Sequence, residues 1–116
     1  MLTPNVTPLD KDLIIQRAMT KAYEVQITKN GGSVDITGWT IIFMVKDKMG
    51  DTVSVINKTI ANHSDPVNGK SLIRLETTDT DIAPKSYFYA VKFQDNDALP
   101  NTGIIVRGKL TIERTV

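Results

Sequence analysis

His63 is the one histidine in the 116-residue chain, and it stands in Asn62-His63-Ser64-Asp65. A general base or a metal ligand works only beside a positioned partner: a nucleophile, a carboxylate or a second ligand. The neighbours of His63 are turn formers, so it reads as a solvated loop histidine. Cysteine is absent, which excludes disulfides, zinc-thiolate sites and thiol nucleophiles. No serine lies in a Gly-x-Ser-x-Gly elbow. There is no phosphate-cradling glycine loop and no dinucleotide fingerprint, and Asn30-Gly31-Gly32-Ser33 reads as a hairpin turn. Two acidic loops invite a cation: Asp79-Thr80-Asp81, and Asp95-Asn96-Asp97 with Asn101 nearby. Calcium takes clustered loop oxygens, but neither loop has the full spacing of a calcium motif, and both read as solvated turns. Trp39 opens an apolar run and reads as core rather than as a platform for a sugar. The expectation is no enzyme, no metal and no cofactor.

The elements between these residues are short. β-branched and aromatic residues recur in runs separated by turn chemistry, the pattern of a two-layer β fold. Strands are expected over Leu13 to Ala18, Ala22 to Thr28, Trp39 to Lys46, Thr52 to Ile60, Lys70 to Glu76, Ser86 to Gln94 and Gly103 to Arg114. Met49-Gly50-Asp51 turns the third into the fourth. A loop from Ala61 to Gly69 carries Asp65-Pro66 and Asn68-Gly69, both strong turn signals. No run keeps a period of 3.6 residues, so at most one short helical turn is expected, near Thr78 to Ala83. Strands without intervening helices are expected to pair antiparallel. Pro4 and Pro8, with Thr3, Asn5 and Thr7 around them, make residues 1–11 an extended N-terminal arm, leaving residues 12–116 as a single domain.

Basic and acidic residues nearly cancel, at 14 against 13. The basic residues are scattered along the chain, so no electrostatic footprint points to nucleic acid or to an anionic membrane. Apolar runs reach only about five residues, too few to span a bilayer. Met1-Leu2-Thr3-Pro4-Asn5 lacks the basic start of a secretory leader. A cysteine-free chain fits assembly in a reducing cytoplasm.

Side chains alternate along a strand, so each strand offers two faces. Trp39, Ile41, Phe43 and Val45 share one face of their strand. Tyr87, Tyr89, Val91 and Phe93 share one face of theirs. On the last strand Ile104, Val106, Leu110 and Ile112 do so, with Gly108 among them. These are the expected core. The opposite faces carry Ile42 and Met44, Phe88 and Ala90, and Ile105. These five residues are the candidate assembly face, because a contiguous apolar patch on a sheet's outer side needs a reason. Three readings stand: a subunit or partner interface, cover by the arm or a loop of the same chain, or a one-residue register slip that swaps the faces.

Several segments, taken in order, resemble the N-terminal immunoglobulin-like domains of phage upper-baseplate and tail-fibre proteins. Gln16-Arg17-Ala18-Met19-Thr20 stands where such domains often have an Arg-Gly-Asp-Thr-like segment. Gly32-Ser33-Val34-Asp35-Ile36-Thr37-Gly38 is similar to their Gly-x-Pro-x-Asp-Leu-Thr-Gly turn, and Phe43-Met44-Val45-Lys46 to the Phe-x-Ile-Arg strand that follows. Gly69 to Leu75 with Asp79-Thr80 resembles the Gly-x-x-x-x-x-Leu…Asp-Thr stretch. Tyr87-Phe88-Tyr89-Ala90-Val91 resembles the Tyr-x-Tyr-Asp-Ile strand, with Ala90 in place of Asp. Gly103 and Val106-Arg107-Gly108-Lys109-Leu110-Thr111-Ile112 resemble the closing hairpin with its Gly-x-Leu-x-Ile. The likeness covers about residues 12 to 116 and is an ordered set of weak motifs. Asp35 and Thr37 can hydrogen-bond their own backbone, and Tyr87 is placed like the tyrosine corner of sandwich domains.

The resemblance implies an all-β fold: an immunoglobulin-like antiparallel β-sandwich of about seven strands, preceded by the arm. It implies a structural, non-enzymatic virion component, a tail or baseplate assembly or adaptor subunit, located in the virion tail after assembly in the host cytoplasm. Its implied partners are other virion proteins, with homo-oligomerisation and neither nucleic acid nor membrane. In such families the domain usually fronts a longer chain, so this sequence is either a piece of one or a small complete protein. A neck or capsid-decoration subunit remains an alternative. So does a binding module that reads a host surface or ligand through the loops Ala61 to Gly69 and Asp95 to Thr102.

Overall fold

A computed structural model of the chain describes residues 9–114 apart from Asn30 and Met49. The strands are β1 (Leu9–Asp10), β2 (Leu13–Gln16), β3 (Lys21–Gln26), β4 (Thr28–Lys29), β5 (Gly32–Ser33), β6 (Thr40–Lys46), β7 (Ile56–Ile60), β8 (Lys70–Leu75), β9 (Ser86–Gln94) and β10 (Thr102–Glu113). Those of four residues or more fall on the seven expected runs. A 3₁₀ turn (Pro66–Asn68) and a one-turn helix, α1 (Thr77–Thr80), are the helical pieces among the described residues. Helix α1 exists because of its first turn. The Glu76 N–H donates to Asp79 Oδ2 at 2.8 Å, one half of a capping box that satisfies both orphan donors.

The larger sheet runs β1–β10–β9–β6–β7, with β2 also along β10, and β3 pairs β8 in a second sheet. All pairings are antiparallel except two. β1 and β2 both run parallel to β10, with Leu9 opposite Val106 and Leu110 opposite Leu13. This corrects the expectation of antiparallel pairing throughout. A parallel pair needs a crossover connection, and here most of the chain is the crossover, since β2 passes straight to β3 in the other sheet. Of the expected arm, residues 1–8 lie outside the described residues. Leu9 and Asp10 form a strand on the sheet edge, and Lys11 N–H donates to Arg107 O at 2.9 Å.

Both sheets contribute to one core. Ile41, Phe43 and Val45 of β6, Tyr87, Tyr89, Val91 and Phe93 of β9, and Leu110 and Ile112 of β10 are buried with Ile73 and Leu75 of β8. Phe93 stacks on Trp39 at 5.2 Å between centroids, which makes Trp39 core as expected. Tyr87 Oη donates to Ala83 O at 2.7 Å, closing the corner that leads into β9.

The segments that precede β6 and β8 and the residues that follow β3 are tied to one another. Ile27 N–H donates to Gly69 O at 2.9 Å, and Ile36 N–H donates to Pro66 O at 2.9 Å. Gly69, at φ +73°, passes so close that a Cβ there would lie 2.6 Å from the Ile27 and Val34 carbonyls, so only glycine fits. Thr37 N–H donates to Asp35 Oδ1 at 3.0 Å, the turn expected of Asp35 and Thr37. Asn30 and Met49, expected in the turns at 30–33 and 49–51, lie outside the described residues, while Thr28–Lys29 pairs with Gly32–Ser33 around the first.

Candidate functional site

The inner side of the larger sheet is core, and its outer side is the candidate site. Register places residues in rows across it. Lys46 lies opposite Phe88, and Phe88 opposite Lys109. Met44 lies opposite Ala90, Ala90 opposite Arg107, and Arg107 opposite Asp10. Ile42 lies opposite Lys92, and Lys92 opposite Ile104. Apolar and cationic side chains are therefore interleaved across this side.

Four of the five expected face residues, Ile42, Met44, Phe88 and Ala90, stand on this side, each half-buried. Ile105 does not, and this corrects the expectation. Ile105 is buried in the core at 6% exposure. The register of β10 against β9 shifts between Ile104 and Val106. Ile105 is thus the extra residue of a β-bulge, which reverses the parity of the strand behind it. Ile104, expected inside, faces outward with Met44, Phe88 and Ala90.

These side chains floor an open depression of about 550 Å³. The 48–50 turn borders it at one end and residues 10–12 at the other, where β1 hands over to β2. That second border depends on Gly108. A Cβ there would overlap the Lys11 carbonyl, so the chain crosses β10 where a side chain is missing. Tyr89 Oη donates to the Lys11 carbonyl, and Asp12 Oδ1 accepts from Lys109 N–H at 3.0 Å. Burial pushes the Tyr89 hydroxyl up to about 12, which keeps it a donor.

The rim is cationic. Lys46, Lys48, Lys92, Arg107 and Lys109 line the depression with two carboxylates, Asp10 and Asp12. Arg107 Nε pairs with Asp10 Oδ1 at 3.2 Å, and no lysine of this rim has an ion pair among the described residues. Residues scattered in sequence are gathered by the fold. Continuing the period of two would have found two of them: Lys46 follows Ile42 and Met44 on one parity, and Lys92 follows Phe88 and Ala90. The depression's one hydroxyl of depth, on Tyr89, is already committed to the backbone.

No family model matches the chain, and no curated protein matches it.

The other chemistry-bearing residues serve the fold. His63 is half-buried rather than solvated, correcting the sequence reading. Its Nε2 lies 2.8 Å from Trp39 O, which can only accept, so Nε2 carries the proton. Nδ1, 3.0 Å away, then accepts from the hydroxyl of fully buried Ser71. The Asp95 carboxylate is buried and occupied. It accepts from Asn101 N–H at 2.8 Å, Asp97 N–H at 3.3 Å and Asn101 Nδ2 at 2.9 Å. The backbone hydrogen bond from Asn101 leads the causes that hold its pKa below the usual carboxylate range. Asp79 is lowered as well: burial opposes ionisation, but Lys58 at 2.7 Å and the Glu76 N–H outweigh it.

Proposed function

We propose that the chain is a structural, non-enzymatic component of a phage particle, a tail or baseplate adaptor built on an immunoglobulin-like β-sandwich. It needs no cofactor, and it docks other virion proteins through the outer side of its larger sheet. Support for the fold assignment comes from topology. β2 lies parallel beside the last strand, the order continues through β9 and β6 to β7, and β3–β8 lies in the second sheet, an arrangement found in immunoglobulin-like domains. Support for the virion assignment comes from the ordered motifs between Gln16 and Ile112. Its place is the virion tail, after assembly in the host cytoplasm, where particle symmetry repeats the subunit.

The observation that carries the docking role is the depression itself, a half-buried apolar floor rimmed by lysines that have no ion pair among the described residues. A host-surface or ligand-binding module working through its loops is less well supported. The loops at 61–69 and 95–101 each spend polar groups on their own turns: Asp65 exchanges backbone hydrogen bonds with Lys70, and Asp95 accepts from Asn101 N–H. Immunoelectron microscopy of particles made by the virus carrying this gene tests the assignment. Label on the tail is the expected result. Label on the neck or capsid transfers the role to a neck or decoration subunit, and label confined to free protein overturns it.

A further inference from the structure

The proposed docking face leaves its occupant open, and the charges on it narrow the choice. Of 14 basic residues in a chain of net charge +1, five stand around one depression, against two of the 13 acidic ones. Both carboxylates are engaged, Asp10 with Arg107 and Asp12 with the Lys109 N–H. No lysine of the rim has an ion pair among the described residues, so the depression keeps an excess of positive charge, and like charges set face to face repel.

A second copy fits this poorly. Isologous pairing sets a patch against itself, which would oppose these five cations to their own copies. Single-stranded nucleic acid fits poorly too, because sequence-tolerant binding stacks bases on aromatic platforms, and of the two rings that line the depression Tyr89 is buried in the core, leaving Phe88 alone to stack. A bilayer is flat, while the depression is hollowed between the 48–50 turn and residues 10–12. An extended peptide meets both features. Lys46 and Lys109 flank Phe88 across three neighbouring strands, about 10 Å apart at two strand spacings. Residues i, i+2 and i+4 of an extended chain share one face and span about 13 Å, within the added reach of two flexible lysine side chains, so carboxylates at i and i+4 can meet both lysines while an apolar side chain at i+2 rests on Phe88.

Resting on the docking role proposed above, we infer that the depression takes an extended acidic segment of a different protein, its carboxylates on the lysine rim and its aliphatic side chains on Met44, Phe88 and Ile104.

The test is titration of the ¹⁵N-labelled full chain with an extended peptide that repeats aspartate, serine, valine, serine, so that aspartate and valine alternate along one face. Controls are its asparagine–valine and lysine–valine counterparts, a single-stranded oligonucleotide, and phosphatidylserine vesicles. The aspartate peptide is expected to shift the amides of Lys46, Phe88, Ala90, Lys92 and Lys109. Its affinity should fall about tenfold or more when salt rises from about 0.05 to about 0.5 M. The doubly substituted Lys92→Glu, Lys109→Glu chain should keep its dispersed spectrum and lose the binding. Equal shifts from the asparagine or lysine peptide overturn the acidic occupant while leaving the docking face in place. Shifts from the oligonucleotide or the vesicles, with none from the aspartate peptide, overturn it in favour of those partners. No shift at these amides from any probe overturns the occupant and the docking face together.

Discussion

Ala18 holds φ +60°, the left-handed region, just after β2. An L side chain there costs about 1–2 kcal/mol, and glycine occupies the region freely at an unfolded-state entropy cost of about 0.5–1 kcal/mol. Ala18→Gly is therefore expected to stabilise the fold by about 0.5–1 kcal/mol, read as a higher urea midpoint and Tm. In the motif that this segment resembles, glycine stands here, so the strain belongs to this sequence rather than to the turn. Tyr89 gives a second test at this scale. Its folded pKa of about 12 lies above the ordinary tyrosine value of 10.0. At neutral pH the hydroxyl is protonated in both states, and the full contribution of the group is present. As pH climbs from 10 towards 12 the unfolded chain gives up the proton first, so stability falls. Urea midpoints should drop across that window and drop less in Tyr89→Phe. Tyr23 and Tyr87, also raised by burial, keep part of the slope.

At the scale of elements, Gly108 sets the geometry of the N-terminal edge. In Gly108→Ala the new methyl displaces the Lys11 carbonyl, and with it the hydrogen bonds of Tyr89 to Lys11 and of Lys109 to Asp12. The expected cost is about 2–4 kcal/mol. Hydrogen exchange should quicken first at the β10 amides paired with β2 and last at those of β9 facing β6. Unchanged exchange along Leu110 to Glu113 would contradict this role for the crossing. The strands themselves were legible in sequence, because alternation and turn residues are local signals; β9 begins and ends where Ser86 and Gln94 predict. The bulge was not legible. Ile104-Ile105-Val106 is apolar at three successive positions, so either parity buries a β-branched residue, and only pairing with Lys92 and Val91 chooses. The parallel edge was hidden too, since it joins residues 9–16 to residues 106–113, and no local pattern spans that distance. His63 was misread because its partners, Trp39 and Ser71, are distant in sequence.

At the scale of the whole molecule, the two sides of the larger sheet differ: one side builds the core, and the other is the proposed docking face. The far edge of that sheet is guarded. Lys58 of β7 points to the inner side and pairs with Asp79 at 2.7 Å, and an inward charge on an edge strand discourages pairing with another chain. On the proposed docking role, contact with partners is thereby left to the face rather than to the edge. The measurement that bears on this most directly is competitive incorporation. Wild-type and variant chains are co-expressed with the virus, and their ratio in purified particles is read by mass spectrometry. The variants are Phe88→Asp, on the floor, and Leu99→Asp, on the exposed 95–101 loop at 87% exposure. With both variants matched to wild type in melting temperature, Phe88→Asp should be depleted from particles about tenfold or more, as expected for a charge set into a desolvated contact, and Leu99→Asp should enter at the wild-type ratio. Equal incorporation of both, or depletion of Leu99→Asp alone, would contradict the outer face as the docking surface.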